Sequence, residues 1–410
     1  MDFNPAPATV MHIDLNSCFA TIEQQANPLY RDHPLVVAAY TTDRGCILAA
    51  SVEAKRFGIK TGMYVGDGKR LYPRLIVLPS DPPKYRFVNR KLLVLLSEYS
   101  ANVEVKSIDE MVLNLDGFKT NMILLAKEIK QRIKSEIGEW LTVSIGIAPN
   151  RYLAKIASNL HKPDGLDVID AKNIEHILGS LQLEELTGIK EGYGKRLRQS
   201  GISSPIAMYR ASGTILSAAF GPPAGEAGSK IGYDWWRMLH GWDPDARSGQ
   251  EPIKSIGHSY ALPKAYLTSD VRLHQILSQL VEKMGRRLRD DHFTAGGLRI
   301  SMLFADHTYW NHGEKLPRAL FSSRDLYIAS VAILTKAPKK SVKLLAVTSY
   351  FLSDETKEQL ELFDSSDHKR ALTLALDAIA DRWGEFTVTP ARMLSMKQKV
   401  LDRIAFGGVR

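Results

Sequence analysis

The spacing of apolar positions changes along this chain, and each change marks an element. Residues 8–15 are an apolar, β-prone run that gives way near Ser17 to a helix. Leu35–Ala39 and Cys46–Ala50 read as short strands with the turn signal Asp43-Arg44-Gly45 between them. Val52–Phe57 reads as a short helix stopped by Gly58. Pro79-Ser80-Asp81-Pro82-Pro83 breaks the chain, and beyond it Tyr85, Val88, Leu92, Leu95 and Tyr99 recur at helical spacing. Two strand-like runs follow, Val103–Ile108 and Met111–Leu115, then an amphipathic helix over Leu124–Ile137 and a strand over Leu141–Ile147. The order strand, helix, strand, strand, helix, strand, with an insertion at about residues 20–80, is a ferredoxin-like βαββαβ plan.

After Gly165 the pattern turns helical. Leu186-Thr187-Gly188-Ile189, with Leu197 and Gly201-Ile202, resembles a helix-hairpin-helix, although Lys190 replaces its usual second glycine and a plain helix turn fits equally. Gly221–Gly228 reads as a loop and Arg247–Pro252 as a linker. The mixed plan then returns. Ser255–Leu262, Leu298–Phe304, Arg318–Ser322 and Leu344–Phe351 read as strands, and Asp270–Arg289 and Arg324–Leu334 as helices. Leu273, Ile276, Leu277, Leu280, Met284 and Leu288 mark the core face of the first helix. Ala371–Trp383 is a further helical stretch.

Composition narrows the class. The 410 residues allow roughly three or four modules, and 44% apolar with 24% charged residues is an ordinary globular balance. No apolar run reaches the roughly 18 residues of a membrane span, and the first residues lack the features of a secretory signal. Cys18 and Cys46 are the only cysteines, too few for a disulfide framework or a zinc cluster. A cytoplasmic protein without a membrane partner is expected. The net charge is +9 and the pI about 9.3. Residues 253–350 hold 15 Lys/Arg against 7 Asp/Glu, so nearly all the excess lies in one segment, the footprint of a polyanion binder.

Two acidic motifs carry the chemistry. Asp14 ends the first apolar run, and Asp109-Glu110 lie between or within the runs of the predicted hairpin. Taken singly, Asp14 reads as well as a helix cap, and Asp109-Glu110 as a solvated turn. If the runs are neighbouring strands, the three carboxylates converge. Neighbouring residues on a strand face opposite ways, so Asp109 and Glu110 share a site only at a strand end, turn or bend. Hard oxygen donors of this kind suit Mg²⁺ ions that clamp a phosphoryl transfer.

The motifs Val10-Met11-His12-Ile13-Asp14-Leu15-Asn16-Ser17-Cys18-Phe19 and Ser107-Ile108-Asp109-Glu110 resemble those of Y-family DNA polymerases, the lesion-bypass enzymes. So do Ser144–Asn150 continued by Leu153–Ser158, Lys162-Pro163-Asp164-Gly165, and Lys254-Ser255-Ile256-Gly257-His258-Ser259, in the family's order over residues 8–365. The resemblance implies an α+β multidomain right hand. Its ferredoxin-like palm would span 1–20 and 79–168, small fingers 21–78, a helical thumb 169–247, an α/β little finger 253–352, and a tail 353–410. It implies DNA-directed, low-fidelity translesion synthesis, with nucleotide transfer from a dNTP to the 3′-OH of primer–template DNA. Two Mg²⁺ ions would serve, with Mn²⁺ as a substitute.

By position, Asp14, Asp109 and Glu110 match the catalytic, metal-binding carboxylates, and the Leu15 carbonyl a backbone ligand. Phe19 falls at the steric gate that crowds a ribose 2′-OH. Ser17, Cys18, Lys55 and Lys162 match triphosphate-binding positions. Gly188 and Lys190 in the thumb, with Lys254, Ser255, Gly257, His258 and Arg299 in the little finger, fall to DNA. The fingers depart from the polymerase IV-like pattern: Val52 stands for a Tyr and Lys55 for an Arg, and a lysine makes no bidentate arginine-type contact. That form is closer to polymerase V catalytic subunits. Gln359-Leu360-Glu361-Leu362-Phe363 resembles a bacterial sliding-clamp peptide, with Gln359, Leu360, Leu362 and Phe363 as anchors. Two rivals remain. A nucleotidyl cyclase shares the metal carboxylates but gives no reason for a thumb, a basic little finger or a clamp peptide. A non-catalytic relative would have lost acidic residues, and all three are present.

Overall fold

Six consecutive buried residues, VMHIDL, form β1 (Val10–Leu15), the centre of the N-terminal part. The computed structural model describes residues 2–118, 120–221, 230–244, 253–354, 366–394 and 400. The chain forms two compact units, Met1–Ala246 and Arg247–Leu401.

The first unit continues with β2 (Leu35–Ala38), β3 (Ile47–Ala50), β4 (Ile76–Pro79), β5 (Val103–Val105), β6 (Glu110–Asn114), β7 (Val143–Ala148) and β8 (Leu166–Val168). Its main sheet has the order β5-β6-β1-β7-β8. The first four of these are the ferredoxin-like arrangement expected from the sequence, with β1 antiparallel to both neighbours. Alternation sorts the side chains of β1. Met11, Ile13 and Leu15 join a core with Leu92, Leu95, Leu125 and Ile129 from helices Pro82–Ser97 and Met122–Arg132. Val10 instead packs with Leu153, Ala154 and Ala157 of helix Arg151–Leu160. That helix lies close because β7 carries Gly146, where a Cβ would fall 2.0 Å from the Ala154 carbonyl oxygen.

The insertion is a three-stranded sheet, β3-β2-β4, around Val36, Ile47, Ile59 and Val65. Three expectations change in this unit. Strand β4 ends on Pro79, where only a chain break was expected. Strand β8 pairs parallel with β7 where helix was expected. A helix at Val65–Leu71, containing two glycines, was not predicted. Beyond β8 the unit is helical: Ile174–Ser180, Glu191–Gln199, Pro205–Arg210, Gly213–Phe220 and Lys230–Leu239.

The second unit runs β9 (Ser255–Leu267), helix Val271–Asp290, β10 (Phe293–Phe304), β11 (Tyr309–Leu320), helix Ser323–Leu334 and β12 (Ser341–Asp354), then helix Ser366–Trp383. The element order repeats the first unit's plan, but the sheet order β11-β10-β12-β9 does not. Strand β11 is far longer than the expected Arg318–Ser322, because it is an edge strand with few buried residues to mark it. The predicted loop at Gly221–Gly228 falls almost wholly outside the described residues, and the Arg247–Pro252 linker wholly so. No helix among the described residues is long and apolar enough to cross a membrane.

Candidate active site

Asp14 stands directly opposite Glu110 in the antiparallel pairing of β1 with β6, so the two carboxylates leave the same face at the strand end. His12, two residues back on β1, shares that face. Its Nε2 is 3.7 Å from Glu110 Oε2, and is buried without a hydrogen-bond partner among the described residues. One ligand atom from each of His12, Asp14 and Glu110 lies within 4.8 Å of the others. Asp109 occupies the turn before β6. Its carbonyl accepts the Leu15 N–H at 2.9 Å, and its carboxylate takes a hydrogen bond from the Ser107 hydroxyl. Buried Asn89 holds this turn by donating to the Ile108 carbonyl at 2.8 Å. Asp109 therefore borders the same cleft, with its carboxylate committed to Ser107 rather than to the tight cluster.

Cations answer the acids. Lys162 Nζ is 2.6 Å from Asp14 Oδ2, and Lys155, brought in by the helix that packs on Gly146, pairs with Glu110. The segment bearing Lys162 is pinned from below. Asn16 Oδ1 accepts the Asp164 N–H at 2.8 Å, and Ser144 Oγ accepts the Gly165 N–H at 3.2 Å and the Asn16 side-chain amide at 3.0 Å.

Burial dominates the site's electrostatics. It pushes Asp14 up to about 6 despite the opposing charge of Lys162. It also raises Asp109 against the Ser107 hydrogen bond. For Glu110, burial pushes upward too, but the hydrogen bond and charge of Lys155 prevail and hold it below the usual carboxylate value. Burial and the Lys155 charge bring His12 down to about 4, so its imidazole is neutral at pH 7. The donors form an oxygen-rich set with one neutral imidazole, which fits a hard divalent cation.

The cleft above these residues holds about 830 Å³. Phe19 lines it while packing in the core, stacked on Tyr85 at 4.3 Å and 11°. Tyr85 in turn donates to buried Glu23 at 2.9 Å. Val52 and Lys55 face the cleft from helix Val52–Arg56, and Lys55 donates to Ser17 Oγ at 2.8 Å. Ser17 has a φ of 50°, an uncommon conformation for a non-glycine residue. Burial raises the Cys18 thiol well above its ordinary value. Sequence reasoning missed His12, Lys155, Asn16, Arg56 and Lys106 as neighbours of the site; the last three line the cleft.

The remaining predicted residues lie elsewhere. Gly188 has a left-handed φ of 96°, and exposed Lys190 stands just before helix Glu191–Gln199 without a side-chain capping bond. In the second unit Lys254 and Ser255 are exposed. Register places Gly257, Thr348, Arg299 and Gly313 in one row across the sheet. The Arg299 guanidinium lies 5.4 Å from the Tyr350 ring. His258 pairs with buried Val347 and so faces the other side from Gly257 and Arg299. Gln359, Leu360, Leu362 and Phe363 lie outside the described residues.

Comparison with known proteins adds three findings. A model of the impB/mucB/samB family matches residues 13–159, and the model of that family's C-terminal domain matches residues 253–362. DNA polymerase IV of Pelotomaculum thermopropionicum is 29% identical over 394 residues, covering 94% of this chain and 95% of that protein. DNA polymerase IV 1 of Halalkalibacterium halodurans is 29% identical over 399 residues, covering 95% and 94%. Among solved structures, a Y-family DNA polymerase chimera of Dbh and Dpo4 aligns with a TM-score of 0.70 at 25% identity, covering 84% of this chain and 99% of that one. An insertion ternary complex of Dbh DNA polymerase aligns with a TM-score of 0.55 at 25% identity, covering 83% and 98%.

Proposed function

The chain belongs to the impB/mucB/samB family of Y-family DNA polymerases, and from that premise we propose that its cleft carries out two-metal nucleotidyl transfer with Asp14, Asp109 and Glu110 as the metal-binding carboxylates. The chain is a DNA-directed DNA polymerase of the translesion type, acting on DNA and deoxynucleotides with a divalent metal. The finer assignments are our reading: Mg²⁺ as the working ion with Mn²⁺ as its substitute, low fidelity, a cytoplasmic setting, and the palm, fingers, thumb, little-finger and tail boundaries given above.

The observation that carries the reading is the pairing of Asp14 with Glu110 at the floor of the cation-walled cleft. Asp14 and Glu110, with the Leu15 carbonyl and Asp109, would hold the ions. Bound there, two divalent cations would activate the primer 3′-OH and offset charge on the triphosphate. Lys162, Lys55 and the Ser17–Cys18 segment would receive the triphosphate, and the Phe19 ring would exclude a ribose 2′-OH. Arg56, on the same wall as Lys55, supplies the guanidinium that Lys55 lacks.

In the little finger, the row Gly257, Thr348, Arg299 and Gly313 is small-sided apart from its arginine, which suits close approach of a phosphate backbone. Lys254 and Ser255 border it, whereas His258 lies on the opposite, core-facing side with Val347 and Ile300, which sets it apart from this DNA contact. Gly188 and Lys190 would offer the thumb's phosphate contact. The Gln359–Phe363 peptide would bind a bacterial sliding clamp. The relatives bear the polymerase IV name, while Val52 and Lys55 keep the polymerase V-like form in the fingers.

Substitution tests the site. Glu110→Ala and Asp109→Ala should each abolish primer extension by purified protein while DNA affinity stays close to wild type. Extension that survives in both variants would overturn the assignment.

A further inference from the structure

The two lysines facing the paired carboxylates are held differently. Lys155 comes from the middle of helix Arg151–Leu160, whose close approach at Gly146 sets it against Glu110 beside His12. Lys162 comes from the segment after that helix. Its backbone surroundings are fixed, since Asp164 and Gly165 donate to Asn16 and Ser144, and the Asp164 carboxylate lies 2.9 Å from Lys130 and 3.1 Å from Lys134. The side chain of Lys162 is a flexible four-carbon stem, 34% exposed on the cleft wall, and it ends on an Asp14 carboxylate that is only 10% exposed.

Asp14 is therefore claimed twice, by the Lys162 ammonium and by the divalent cation assigned to it. Two positive charges a few ångströms apart repel strongly in a poorly solvated site. Lys162 also has two anionic partners within its reading, Asp14 and the nucleotide triphosphate. We propose that Lys162 is an exchangeable counter-ion: it neutralises Asp14 until a triphosphate enters the cleft, then moves to the phosphates and leaves the carboxylate to the cation. Metal and nucleotide then bind with positive coupling, because each favours the same position of one side chain. Lys155 makes no such exchange and remains the partner of Glu110. The inference rests on the reading of Asp14 as a metal ligand and of Lys162 as a phosphate contact.

The test counts bound Mn²⁺ by electron paramagnetic resonance on the full-length protein without DNA, so no turnover is involved. Lys162→Met should bind Mn²⁺ about 10-fold more tightly than wild type, while Lys162→Arg, which keeps the charge, should stay close to wild type. A non-hydrolysable deoxynucleotide analogue should tighten Mn²⁺ binding more in wild type than in Lys162→Met, after allowance for the cation carried by the nucleotide. Asp14→Asn serves as the control and should lose the site. If Asp14→Asn loses it and Lys162→Met gains nothing, the exchange is wrong and the metal site stands. If Asp14→Asn still binds Mn²⁺ as wild type does, the reading of the site itself fails.

Discussion

At the floor of the cleft, burial and the Lys155 charge lower His12 from 6.5 to about 4. The unfolded chain therefore takes up this proton before the folded protein does. The stability contributed by neutral His12 is complete above about pH 6.5 and is lost as pH falls toward 4. A shift of that size corresponds to on the order of 3 kcal/mol. Urea unfolding of the chelated protein between pH 7.5 and 4.5 should show wild type losing more stability than His12→Leu; parallel pH profiles would contradict this. Phe19 belongs to the same scale. Its ring is fixed by stacking on Tyr85, so Phe19→Ala should raise ribonucleotide incorporation relative to deoxynucleotide by roughly 10-fold or more. Unchanged sugar selectivity in single-nucleotide incorporation assays would remove Phe19 from that role. Asp14, Asp109 and Glu110 were legible because each sits at the edge of an apolar run. Lys155 was not, because its place depends on a helix meeting a distant strand at Gly146, whereas strand alternation from Asp14 already sets His12 on the same face.

Among the elements, helix Val271–Asp290 shows where local pattern stops informing. Its apolar stripe is core, as the spacing predicts, and its other positions look like a solvated face. In the folded unit Gln275, Gln279, Lys283 and Arg289 are buried. The tail covers them: Arg289 is clasped by Asp377 at 2.5 and 2.8 Å, and Lys283 meets Glu385 at 2.6 Å. Arg392 donates to Ser278 Oγ at 2.7 Å and lies 4.1 Å from the Tyr327 ring. No short-range signal announces a partner a hundred residues away. Strand β8 and most of β11 escaped for a related reason, since pairing across the sheet and not an apolar run defines them, whereas β4 does carry an apolar run, Ile76-Val77-Leu78, just before the break at Pro79. The clasp makes its own prediction. Asp377→Ala leaves Arg289 buried without its carboxylate and should cost on the order of 3–5 kcal/mol in chemical denaturation. The double variant Arg289→Leu with Asp377→Leu should recover much of that loss. A loss below about 1 kcal/mol in Asp377→Ala would show that the tail does not hold this charge.

For the whole molecule, the distribution of charge sets how it meets DNA. The concentration of basic residues in 253–350 predicts DNA affinity that falls steeply with salt, because bound counterions are released. Arg299→Ala should flatten the slope of log affinity against log salt by about one. A salt-independent affinity, measured by fluorescence anisotropy, would exclude the basic segment as the DNA-binding surface. The carboxylate site at the end of β1 and β6 should add nucleotides to a primer under template instruction. The most direct measurement is extension of a labelled primer by the purified protein, with Mg²⁺, one template at a time, beside a reaction containing nucleotides and no DNA. Mg²⁺-dependent addition of the nucleotide complementary to each template base is expected, with no product without DNA. Cyclic or linear dinucleotides formed from nucleotide alone, or a primer left unextended, would contradict it.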